Sequence, residues 1–168
     1  KMIVWGGNTG AAYLNDGVAP RRHPFGAHSF YVPAQLFSTA DGYLALFITH
    51  DGFWRSFAAE AGIEGFPTMA ERAARRDEGI EVVGAALAAD TATGWEARLR
   101  PLGVPAAAVR SLPEALDALA AVEANPEVIV SAGDYRLVGS PIRISGHQPR
   151  YLPPPTLDEY AEAPAQSS

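Results

Sequence analysis

The chain contains no cysteine in its 168 residues. That excludes a disulfide framework, a zinc ribbon, an iron–sulfur cluster and a thiol nucleophile, and it suits a reducing cytoplasm. Lys1 is the only lysine. The 13 basic and 19 acidic residues leave a formal charge of −6. Phosphate affinity needs clustered positive charge, so no nucleic-acid partner is expected. No apolar run approaches the ~20 residues that cross a bilayer, so no membrane partner is expected either. Lys1-Met2 precedes only a brief apolar stretch, which Gly6-Gly7-Asn8 interrupts, and this is not a signal peptide. There is no nucleophile-elbow serine, no phosphate-binding P-loop, no His-Glu-x-x-His metal helix and no dinucleotide glycine fingerprint. His23, His28, His50 and His147 are the four histidines, and none stands four residues from another. No metal is expected.

A hydrophobic share of 48% and a charged share of 19% are ordinary for a globular protein. A chain of this length can bury roughly 70% of its unfolded surface, enough for a core without staples. The first thirty residues are punctuated by Gly6, Gly7, Gly10, Asp16-Gly17, Pro20, Pro24 and Gly26, and read as irregular, with Met2 to Trp5 the end of an interrupted element. Gln35 to Thr39 and Tyr43 to Thr49 are aromatic and β-branched runs separated by Ala40-Asp41-Gly42, which predicts a hairpin.

A helix follows, with Asp51 as its cap, Trp54, Phe57, Ala58 and Ala61 on one face, and Gly62 as its stop. Three more helices each open on a capping-box pattern. The first is Thr68-Met69-Ala70-Glu71, with Met69, Ala73, Ile80, Val83 and Leu87 inward. The second is Thr93-Gly94-Trp95-Glu96, with Trp95, Leu99 and Leu102 inward. The third is Ser111-Leu112-Pro113-Glu114, with Leu112, Ala115, Leu116 and Leu119 inward. Pro105 to Val109 reads as a short buried strand. Glu127 to Ser131 and Tyr135 to Val138, around Gly133-Asp134, form a second hairpin, and Pro141 to Ile144 an extended edge. The fold class is α+β, with about four helices and two antiparallel hairpins that could join one sheet covered by helices on one face.

The residues alone leave the chemistry open. His28 is either a ligand contact in a glycine-containing loop or a surface histidine. His50-Asp51 suggests a catalytic pair, but adjacent residues rarely face each other and Asp51 already serves as a cap. Arg72, Arg75 and Arg76, with Asp77 and Glu78 close by, are either a phosphate-binding face or a solvated helix face with local ion pairs. Phe53, Trp54 and Phe57 shape either a ligand groove or a core. No pair of carboxylates stands out as acid and base.

The order of motifs is more specific. Gly17-x-x-Pro20-Arg21-Arg22-x-Pro24-Phe25-Gly26-Ala27-His28, then Tyr31-Val32-Pro33, then Phe37-Ser38-Thr39-Ala40-Asp41-Gly42-Tyr43-Leu44 resembles the middle of the family III CoA-transferases of the CaiB/BaiF type. These include formyl-CoA and carnitine–CoA transferases and α-methylacyl-CoA racemase. Trp54, Thr93-x-Trp95-Glu96, Gly103 to Val109, Ser140 to Gly146 and Pro153-Pro154-Pro155 continue the resemblance in family order, over about residues 5–160. Two departures are His28-Ser29, where the family has His-Pro, and Thr156 to Tyr160, where it closes with Leu-Gly-Glu-His-Thr.

The resemblance implies an acyl-CoA:carboxylate CoA-transferase with coenzyme A or acyl-CoA as substrate, a carboxylic acid as acceptor, no metal, and an interlocked homodimer. In the family an aspartate attacks the thioester. None of this chain's aspartates matches that context, so no catalytic residue is assigned here and the nucleophile is expected upstream. The chain, which begins with Lys, is expected to be a C-terminal portion that is inactive alone. Residues 1–30 would be a linker and an active-site-covering loop, 31–122 a small α+β domain, 123–160 strands returning to a dinucleotide-fold-like large domain, and 161–168 a disordered tail. Gly26, Ala27 and His28 are the candidate substrate or CoA loop, with His28 donating to a substrate carbonyl or a phosphate. A racemase part, a non-catalytic CoA-binding or interaction module, and half of a two-chain enzyme are the alternatives.

Overall fold

The structure is a computed structural model, and it describes residues 7–19, 21–121, 128–142 and 144–156. The element expected at Met2 to Trp5 and the tail at 161–168 lie outside the described residues. Among the described residues the architecture is α+β, with six helices and small antiparallel sheets. The chain divides into two compact units between Val109 and Arg110.

The first unit opens with α1 (Gly7–Asp16), in a stretch expected to be irregular. Gly7 and Gly10 lower helix propensity by only about 1 kcal/mol each, and Ala11-Ala12-Tyr13-Leu14 sustains the helix until Gly17, whose N–H returns to the Tyr13 carbonyl at 3.1 Å. Strand β1 (Ala34–Ser38) pairs antiparallel with β2 (Tyr43–Phe47) as the Asp-Gly turn predicts. The far edge of β2 is taken by β3 (Ala106–Ala108), also antiparallel. The Phe47 N–H donates to Pro105 O and the Val109 N–H to Tyr43 O, both at 2.9 Å. The two hairpins stand in separate sheets rather than one.

Alternation along the strands turns Phe37, Leu44 and Leu46 to one face. There they meet Trp54 and Phe57 of α2 (Asp51–Ala61), Val83 and Leu87 of α4 (Arg76–Leu87) and Trp95 and Leu99 of α5 (Ala92–Leu99) in one buried cluster. The indole N–H groups are satisfied inside it. Trp54 donates to Gly65 O at 3.3 Å and Trp95 to Leu87 O at 3.0 Å. Leu102, expected inward, is exposed in the short 3-10 turn that ends α5.

Several helix boundaries differ from expectation for local reasons. The helix begun by the Thr68–Glu71 capping box is broken into α3 (Met69–Ala74) and α4 at Arg75, whose ψ of 41° is not helical. The cap of α2 is His50, not Asp51: the imidazole Nδ1 accepts from Gly52 N and Phe53 N at 3.1 and 3.3 Å, and Asp51 sits in the first turn. Gly62 ends α2 in the left-handed conformation, as expected. The cap of α5 is Thr91 rather than Thr93, its hydroxyl accepting from Gly94 N at 3.0 Å. A second acceptor for that helix start comes from the hairpin tip. Asp41 Oδ1 takes the Ala92 N–H at 2.8 Å across 51 residues.

The second unit contains α6 (Leu112–Ala120) and the hairpin β4 (Ile129–Ala132) and β5 (Tyr135–Val138). The Ser111–Glu114 capping box and Pro113 in the first turn start α6 as expected. Its apolar face is not buried: Leu112 is 73% exposed. The extended edge expected at Pro141 to Ile144 lies partly outside the described residues, and Ile144 makes an isolated bridge with His147. Tyr151 Oη accepts from Ser140 N at 2.8 Å.

Candidate functional site

The Gly26-Ala27-His28 segment lies between a tight turn and β1. Pro24 to Gly26 form a 3-10 turn closed by the Ala27 N–H on Pro24 O at 3.1 Å. Phe25 and Gly26 both have left-handed backbone, with φ of 55° and 68°. Glycine adopts that conformation freely, whereas Phe25 pays about 1–2 kcal/mol of strain there. The chain then straightens, and His28 N donates to Ala34 O at 2.9 Å.

The imidazole of His28 is half-buried. Its Nδ1 accepts from Phe30 N at 3.1 Å and Tyr31 N at 3.2 Å. The ring packs on Tyr31 at 4.7 Å between centroids and meets Phe47 edge-on at 6.1 Å. Arg76 Nη2 binds the carbonyls of His28 and Ser29, at 2.8 and 2.9 Å. One turn earlier in sequence, Arg72 fixes the far end of the same loop, with Nε on Val32 O at 2.9 Å. The side chain of Arg72 is 1% exposed. Its Nη1 binds Phe66 O at 2.8 Å, its Nη2 binds Asp51 Oδ1 at 2.7 Å, and its guanidinium lies 4.9 Å from the Trp54 ring centre.

The solvated reading of the arginine run holds for Arg75 alone, which is exposed and ion-paired. Two of its members are braces for residues 28–33, and the third, Arg75, pairs with Glu78 and covers Phe66. The Arg72 guanidinium holds the Asp51 carboxyl below its ordinary range, chiefly through the hydrogen bond. Arg75 does the same to Glu78. His50 and Asp51 do not form a catalytic pair: the imidazole caps α2 and stacks on Phe53 at 3.7 Å, while the carboxylate serves Arg72.

The sheet face opposite the core carries an open groove of about 460 Å³. Leu36, Ala45 and Ala107 form its floor, and Phe25, Gly26 and Phe47 stand along it. Among the described residues Gln35 supplies its only polar side chain. The Phe47 ring is shared, lining the groove and touching His28. The structure thus brings Gly26 and His28 to one neighbourhood through Phe47. Residue identity gave no sign of this groove, because alanine reads equally as floor and as filler. Among the described residues no group of three or more acidic or histidine side chains is placed to hold a metal.

The model of CoA-transferase family III matches residues 1–160. The chain belongs to the family III CoA-transferases. No curated protein matches this family III chain significantly. Among solved structures it is similar to a CaiB/BaiF family protein from Brucella suis, with 24% identity and a TM-score of 0.70. That similarity covers 92% of this chain and 42% of the Brucella protein. It is also similar to a hypothetical protein from Mycobacterium tuberculosis, with 23% identity and a TM-score of 0.67. There the coverage is 77% of this chain and 38% of the other. The family III chain spans about two-fifths of the length of these relatives. The likeness in structure, at these identities, is one of fold.

The Phe37-x-Thr39-x-Asp41-Gly42 motif also gains a physical meaning. Phe37 is core, the Thr39 hydroxyl accepts from Gly42 N at 3.2 Å, and Asp41 caps α5. In this chain the motif builds the hairpin tip.

Proposed function

We propose that this chain is the C-terminal part of an enzyme that transfers CoA from an acyl-CoA to a carboxylic acid through an aspartyl-CoA intermediate. The observation that carries the reading is the family match over residues 1–160. In the proposed reaction an aspartate carboxylate attacks the thioester carbonyl and expels CoA thiolate, leaving a mixed anhydride. The thiolate then attacks the aspartyl carbonyl and releases the carboxylate product. The acceptor acid repeats the two steps in reverse. One difficult exchange becomes a series of easier ones.

The nucleophile is not assigned to this chain. Asp41 is spent on the Ala92 N–H, Asp51 on Arg72 and Asp90 on Arg98. Each already has its charge matched by a donor, which weakens it as a nucleophile. The aspartate is expected in the remainder of the full-length protein, where an interlocked homodimer completes the site and the Gly26-Ala27-His28 segment faces the substrate. Water kept from the anhydride by that segment would preserve it from hydrolysis.

The test incubates the full-length gene product with an acyl-CoA and a labelled carboxylic acid. Label appearing in a new acyl-CoA, with none formed by the isolated 168-residue chain, is the expected result. Epimerisation at the α-carbon without any acceptor acid would replace transfer by racemisation. CoA binding with neither reaction would leave a binding module.

A further inference from the structure

We propose that His28 is a hydrogen-bond donor to the ligand, locked with its proton on Nε2, and that Arg76 is its positioning residue. The proposal rests on the CoA-transfer reading only for the identity of the acceptor, an oxygen of the thioester or of the acceptor carboxylate.

The protonation pattern follows from the backbone. Amide N–H groups can only donate, and two of them, from Phe30 and Tyr31, converge on Nδ1. Nδ1 must therefore present its lone pair, and the neutral ring carries its hydrogen on Nε2. A ring held this way offers a donor at its free end, not a base.

That free end is unspent. No group among the described residues accepts from Nε2, although the ring is half-buried against Phe30, Tyr31 and Phe47. His50 provides the internal contrast. It uses Nδ1 in the same manner, but there the two amides belong to the first turn of α2, so helix capping accounts for the residue. His28 begins no helix. Its ring instead borders Phe47, which lines the apolar groove. Binding pockets combine a mainly apolar lining with a few placed polar groups, and a donor beside apolar walls is strengthened by the low local dielectric.

Arg76 supplies the placement. It is the one side chain from a distant element that holds the His28 main chain, 48 residues away, and it holds the next carbonyl as well. Without it the His28–Ser29 peptide loses its external anchor, while Nδ1 keeps its local amides.

Two substitutions separate the ends of the ring. In His28→Asn the amide oxygen replaces Nδ1 as acceptor and the Nε2 donor disappears. In His28→Gln the amide nitrogen sits near Nε2 and the Nδ1 acceptor is lost. In the full-length protein, His28→Asn is expected to keep its melting temperature and lose on the order of 100- to 1,000-fold in kcat for CoA transfer, the scale of one lost oxyanion donor. His28→Gln should retain more turnover and melt earlier. Arg76→Ala should lower kcat with KM little changed, and Arg76→Lys, which keeps a donor to the two carbonyls, should recover most of the loss. A purely structural Arg76 would move the melting temperature and leave that kinetic split absent.

A second measurement does not depend on turnover. Nitrogen-15 spectra of the full-length protein should show His28 as the Nε2–H tautomer, with that resonance shifting on addition of butyryl-CoA. An Nδ1–H tautomer, an unmoved resonance, or unchanged turnover in a folded His28→Asn protein would each overturn the proposal. If the wild-type protein transfers no CoA, the transfer reading falls and the spectra alone decide on His28.

Discussion

The two compact units treat the same kind of side chain differently. In the first, thirteen apolar residues from strands, helices and the loops beside them close into one cluster, and Phe57, Leu87 and Leu99 have no exposed surface. In the second, Leu112 is 73% and Val138 68% exposed, and Ala132 is the only buried hydrophobic among the described residues. The difference is one of layers. A three-stranded sheet with helices on one face encloses a core, whereas a two-stranded hairpin by itself is marginal in water. Apolar pattern in sequence marks which face wants burial, and only the neighbouring layer decides whether it is buried.

The sharpest way to break this contrast is a cavity. Phe57→Ala should cost about 3–5 kcal/mol in urea unfolding of the chain, while Leu116→Ala on α6 should stay within about 1 kcal/mol. Equal costs would mean that α6 is as well packed as α2. Next comes Arg72→Met, which leaves the Val32 and Phe66 carbonyls without their donor and should cost roughly 3 kcal/mol. Its signature is faster amide exchange at residues 28–33 together with residues 66–69.

A smaller effect is expected from the caps, and it should be alike in both units because capping is local. Thr68→Ala and Ser111→Ala should each lower helix stability by about 1 kcal/mol, read by circular dichroism on thermal unfolding. The last prediction concerns pH. The folded Asp51 carboxyl lies below its ordinary value of 3.8. Its contribution is therefore complete above that value and is lost as pH falls toward the folded one. Acid titration should weaken the first unit there, and Asp51→Asn should flatten that part of the curve.

What sequence alone made legible follows the range of each interaction. The Thr68–Glu71 and Ser111–Glu114 boxes span three residues and were readable in full. The first hairpin, β3 and the inward Trp54, Phe57 and Val83 were readable from period and turn chemistry. The Arg72 brace was not, because its partners lie 40, 21 and 6 residues away and an arginine beside acids looks like a surface pair. The cap of α2 was assigned to Asp51 because aspartate is the commoner cap, yet an imidazole Nδ1 offers an equivalent acceptor. Within the candidate site, Gly26 and His28 were legible as a loop, while Arg76 and the alanine-floored groove required the fold.

The bond from Ala92 to Asp41 bears on how the chain folds. The first amide of α5 finds its acceptor in a turn 51 residues earlier, and the Ala40 N–H returns to Asp90 O at 3.0 Å. Closing so long a loop carries an entropic cost before any contact repays it. A start to α5 that depends on the finished tip of the first hairpin ties the two into one cooperative unit. Their amides should open and exchange together, at one rate, although most of the chain between them belongs to other helices.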